Sequence, residues 1–167
     1  AVNVLVNPIP AAAITASGPL SFCQGNNVTL TATTNGASYS WSNGANTQSI
    51  IAGSSGNYTV TVTSAAGCSA TSAATVVSVS PNPVVNISAA PYTRLYPGLS
   101  TTLTANVNPA GNYNYTWYRD NIPVPGAVSS TLPGIDPNKL GSYTVTVTNS
   151  SGLPCSNTSA ALLISDS

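Results

Sequence analysis

Six side chains in 167 carry a formal charge: Arg94, Arg119, Asp120, Asp136, Lys139 and Asp166; there is no histidine. Acid–base, nucleophilic or metal chemistry must be built from these and from Cys23, Cys68 and Cys155. A glycosidase needs two carboxylates across one cleft, and Asp120 and Asp136 could in principle supply them. Both stand in turn signatures, however: Asp120 in a hairpin, Asp136 in Ile135-Asp136-Pro137-Asn138. Calcium takes six to eight oxygens, usually several from carboxylates, and nothing before Arg94 is charged, so a metal site shared by both halves is excluded. A cysteine nucleophile would have no imidazole to activate it. The expectation is no catalytic residue, no metal and no cofactor.

Aromatic side chains offer the other chemistry, stacking against sugar rings. Trp41, Trp117, Tyr39 and Tyr115 alternate with Ser, Thr or Asn, which places them inside a sheet protein. Tyr118 falls on the face opposite Trp117, while Tyr92, Tyr96 and Tyr113 lie near strand ends; these four are the candidate exposed aromatic contacts. The sequons at Asn27, Asn114 and Asn157 are expected by chance in this composition.

Ser, Thr and Asn number 24, 21 and 18 and take the place of charge at the surface. Zero net charge gives no long-range attraction for nucleic acid or an anionic membrane. No apolar run approaches 18 residues, and the opening residues lack a basic start, so neither membrane insertion nor a signal peptide is expected. The chain reads as an excerpt of a mature protein.

An internal repeat organises it. At an offset of 73, Pro8, Pro10, Ile14, Gly25, Leu30 and Ala32 fall on Pro81, Pro83, Ile87, Gly98, Leu103 and Ala105. After gaps, Trp41 meets Trp117, Gly56-x-Tyr58 meets Gly141-x-Tyr143, and Cys68-Ser-Ala-Thr-Ser-Ala meets Cys155-Ser-Asn-Thr-Ser-Ala. The boundaries are 1–10, a lead-in or the tail strand of a preceding repeat around Val4-Leu5-Val6, then domains at 11–81 and 82–167. Period-two alternation at Val28-Leu30-Ala32 and Tyr58-Val60-Val62 predicts antiparallel strands. Asn35-Gly36 and Asn43-Gly44 supply residues for positive φ at reversals. Residues 118–124 read as a hairpin that has no counterpart in the first repeat.

The order of an inward strand, a core Trp and a Gly-x-Tyr corner resembles the immunoglobulin-like sandwich, with Trp41, Trp117, Tyr58 and Tyr143 as core. Its inter-sheet cysteine positions hold Ala32 and Val60, then Ala105 and Val145. The expected fold is all-β: two tandem immunoglobulin-like β-sandwich domains arranged end to end.

Cys23 near Gly25, Trp41-Ser-Asn-Gly44, Thr47-Gln-Ser-Ile50, Gly56-x-Tyr58-x-Val-x-Val and Gly67-Cys68-Ser together resemble the immunoglobulin-like or PKD-like repeats of large secreted Bacteroidota surface proteins exported by the type IX route. Unit two departs from them with Tyr96 where Cys23 stands. The resemblance implies a Cys23–Cys68 disulfide, leaving Cys155 as an unpaired thiol, and an extracellular or cell-surface location. The repeat and the absence of catalytic chemistry point to a non-enzymatic spacer or stalk in a long adhesin-like or filamentous protein. The implied partners are neighbouring repeats of the same polypeptide, then cell-surface glycans or other protein subunits. The alternative is a glycan-binding accessory module of a secreted multidomain hydrolase.

Overall fold

The computed structural model describes residues 7–166. The expected lead-in strand at Val4-Leu5-Val6 lies outside them, and Asn7–Pro10 forms no strand. The chain divides into two compact units, Ala1–Ser80 and Pro81–Ser167.

The first unit is built from β1 (Ile14–Ala16), β2 (Ser21–Cys23), β3 (Val28–Ala32), β4 (Ser38–Trp41), β5 (Ser49–Ala52), β6 (Gly56–Tyr58), β7 (Val60–Thr63), β8 (Ser69–Thr71) and β9 (Thr75–Ser80). One layer is β1-β3-β5. The other comprises β2-β9-β6 and β4-β7-β8, where β6–β7 and β8–β9 are each a single path with one interruption. β2 runs parallel to β9, and the remaining pairs are antiparallel. Alternation places Val28, Leu30 and Ala32 inward with Thr29 and Thr31 outward. Together with Trp41, Ile50, Val60, Val62 and Val77 they form the core.

The second unit repeats this plan in β10 (Val84–Ala90), β11 (Thr101–Asn108), β12 (Tyr113–Arg119), β13 (Ile122–Pro123), β14 (Thr131–Ile135), β15 (Gly141–Asn149), β16 (Ser156–Thr158) and β17 (Leu162–Ile164). A 3-10 turn at Pro137–Lys139 precedes β15. The layers are β10-β11-β14 and β13-β12-β15-β16, with β17 also on β15. Ile14 faces Ala32 and Trp41 faces Val60 in unit one; Ile87 faces Ala105 and Trp117 faces Val145 in unit two. Ala32, Val60 and Val145 are fully buried and Ala105 is 7% exposed, so apolar contact fills the inter-sheet cysteine positions.

The two Asn-Gly pairs behave differently. Gly44 takes φ +87° at its reversal. Gly36 has no positive φ; a Cβ there would lie 2.5 Å from Val62 Cγ1, so close packing requires the glycine.

Candidate functional site

The cysteines depart from the expected pairing. Cys23 and Cys155 are each disulfide-bonded, and Cys68 carries a free thiol. Cys23 ends β2 opposite Ser80, the last residue of β9, whereas Cys68 lies in the turn entering β8. The β8–β9 path therefore separates them by roughly 30 Å at about 3.3 Å per residue, several times the Cα separation a disulfide spans. Cys155, expected as an unpaired thiol, is instead bonded and 1% exposed. Alignment of Cys68 with Cys155 carried no information about bonding state.

The aromatic residues sort by face and by hydroxyl partner. Trp41 and Trp117 are buried, and their indole N–H groups donate to the carbonyls of Thr47 and Ser129 at 2.7 and 2.9 Å. Tyr58 and Tyr143 each donate to the carbonyl four residues earlier, Ser54 at 3.0 Å and Lys139 at 2.6 Å, closing a tyrosine corner in each unit. Tyr143 is 1% exposed, but Tyr58, assigned to the core from sequence, is only partly buried and packs against the core from its edge. Among the four candidate surface aromatics, Tyr92 and Tyr96 are exposed. Tyr113 and Tyr118 are partly buried, and Tyr113 packs on the core while bonding the Pro109 carbonyl. The four do not form one stacking platform, because Tyr113 and Tyr118 fall on opposite faces of β12.

Four of the six charged side chains, Arg119, Asp120, Asp136 and Lys139, gather around one place in unit two. A groove of about 640 Å³ is lined by Arg119, Asp120 and Lys139 together with Ile122, Val124 and Leu132. The hairpin from β12 to β13 forms one wall, reversing through Asp120 and Asn121 at φ +51° and +67°. Successive positive φ values are the hairpin turn that right-twisted strands favour, and Asp and Asn tolerate them. Asp120 Oδ1 accepts from the Ser142 N–H at 2.8 Å, tying the hairpin to β15. Asp136 caps the 3-10 turn by accepting from the Asn138 N–H at 2.8 Å, and its other oxygen lies 3.8 Å from Lys139 Nζ. Lys139 also donates to the Gly134 carbonyl at 2.7 Å.

Both carboxylates thus fasten turns. Burial raises the Tyr143 pKa, opposed by the charge and hydrogen bonding of Arg119. Asp166 lies beyond β17 and is exposed. Among the described residues, no three acidic or cysteine side chains cluster to hold a metal. The sequence revealed the hairpin but not the groove, because Leu132 and Lys139 reach it from a separate stretch of chain.

No family model matches the chain, and no curated protein matches it in sequence. Solved structures do. The N-terminal eight immunoglobulin domains of Down Syndrome Cell Adhesion Molecule align with a TM-score of 0.60 at 16% identity, over 86% of this chain and 26% of that one. Three N-terminal domains of the Highly Immunogenic Outer Capsid protein of bacteriophage RB49 align at 0.43 and 19% identity, over 94% and 59%. An I-band fragment of titin aligns at 0.44 and 14%, over 95% and 66%. This chain therefore spans about a quarter of the cell-adhesion fragment and under two thirds of the capsid fragment. The first likeness, with the tyrosine corners and buried tryptophans, defines an all-β protein of immunoglobulin-like fold.

Proposed function

We propose that the chain is a non-enzymatic spacer, a segment of a longer extracellular or cell-surface repeat protein in which sandwich units follow one another end to end. The observation that carries this reading is the reuse of one structural framework in both units. The buried indole bond, the tyrosine corner and a buried serine recur at matching positions, whereas the charged groove is confined to unit two. A framework maintained without a shared site fits a role in which each unit contributes length and stability. Its partners are neighbouring repeats. The resemblance to Bacteroidota repeats supports export by the type IX route.

The competing reading, a glycan-binding module, draws on the exposed Tyr92 and Tyr96. Affinity electrophoresis through gels containing xylan, a soluble cellulose derivative or a chitin derivative separates the two. The spacer reading expects unretarded migration with each polymer. Retardation abolished by Tyr92→Ala or Tyr96→Ala would replace it with the glycan-binding reading.

A further inference from the structure

Arg119 stands two residues after the buried Trp117, on the same inward face of β12, and pairs across the sheet with Tyr143. It is partly buried. A guanidinium carries five donors in a planar fork, and removing it from water without a counter-charge is unfavourable. Arg119 hydrogen-bonds the Tyr143 phenol, but no carboxylate lies within ion-pair distance of it; the Lys139–Asp136 contact is the one ion pair among the described residues. Asp120, the next residue, directs Oδ1 to the Ser142 N–H and packs Oδ2 against Gly141, so its carboxylate is committed to β15. Aliphatic side chains of Ile122, Val124 and Leu132 line the same space, whose 640 Å³ is in the usual range for ligand sites.

The immunoglobulin-like framework does not require this arrangement. Unit one builds its sandwich with 16 residues between Trp41 and Tyr58 and no charged side chain, whereas unit two has 25 between Trp117 and Tyr143. The added chain brings the hairpin, the guanidinium and the apolar walls together.

We propose that this groove binds the free C-terminus of an extended peptide ending in an aliphatic residue. Arg119 holds the terminal carboxylate in its fork, and Ile122, Val124 and Leu132 enclose the last side chain. A carboxylate supplies the missing counter-charge in bidentate geometry. An extended peptide fills more of the 640 Å³ groove than a simple aliphatic acid can. Sugar rings find no face to stack on, because Tyr143, the aromatic residue of the lining, is 1% exposed. This goes beyond the spacer reading, which stands whether or not the groove binds.

The test titrates the full 167-residue chain with the tetrapeptide Gly-Gly-Val-Leu, its C-terminal amide and 4-methylpentanoate, followed by NMR. The free-acid peptide is expected to bind saturably, with Kd at or below the millimolar range, and to shift the Arg119 side-chain, Ile122 and Leu132 signals. The amide and the simple acid should each bind at least about tenfold more weakly, and Arg119→Gln should abolish binding while melting like the parent. Equal binding of acid and amide overturns the proposal. So does 4-methylpentanoate binding as tightly as the peptide, or no saturation by about 10 mM peptide. The acid–amide comparison uses the parent chain, so it decides even if Arg119→Gln misfolds.

Discussion

Ser72 and Ser159 show how a small polar residue can hold a sandwich together. Each lies where its strand path is interrupted, is less than a tenth exposed, and accepts from a core N–H at 3.1 Å, Val60 for one and Val145 for the other. Each also returns its own N–H to the carbonyl of the same valine. Alanine in its place leaves a buried donor unsatisfied, so Ser72→Ala and Ser159→Ala should each cost about 1–3 kcal/mol in urea unfolding. The repeated Ser-x-x-Ser-Ala block was visible in the sequence, but a serine in so hydroxyl-rich a chain reads as surface. Only the strand interruption turns it inward. The cysteines were illegible for another reason, since pairing depends on which end of the sandwich each occupies. Alkylation of the native chain should label Cys68 alone, and Cys23 and Cys155 only after reduction; labelling of either without reductant would contradict the assignment. Tyr143 adds a pH dependence. Its pKa is raised by burial, so the folded state favours the neutral phenol; that contribution is complete below the ordinary tyrosine value near 10 and is lost as pH rises through the folded value. Stability should therefore fall above about pH 10, and fall less in Tyr143→Phe, as thermal melts across alkaline pH would show.

At the scale of elements, the alternating Thr-Val runs, the core tryptophans and the Gly-x-Tyr corners were legible because period two and a buried ring leave strong local marks. What the hairpin does to its neighbours was not. Gly56 and Gly141 occupy the same place in the repeated motif, yet only Gly141 is enclosed. Its φ is +149°, and a Cβ there would lie 2.5 Å from Asp120 Oδ2, whereas a Cβ on Gly56 meets the Tyr58 ring at an ordinary 3.6 Å. Gly141→Ala should destabilise unit two by about 1–3 kcal/mol, while Gly56→Ala should stay within about 1 kcal/mol of the parent, as measured by denaturant unfolding. Equal effects would mean that the β12–β13 hairpin does not press on β15 in solution.

At the scale of the whole molecule, a spacer works by being long. Strands of about eight residues at about 3.3 Å, plus end loops, give a sandwich roughly 35–40 Å long. Proline at positions 81 and 83 restricts the backbone where the two compact units meet in sequence. The end-to-end proposal then calls for a span of roughly 75 Å, and a thin rod of that length has a radius of gyration of about 22 Å. A single compact globule of this chain length would give about 15 Å. Small-angle scattering of the monomer measures that quantity directly: a value of about 22 Å or slightly more is predicted for a spacer, and a value near 15 Å would contradict it.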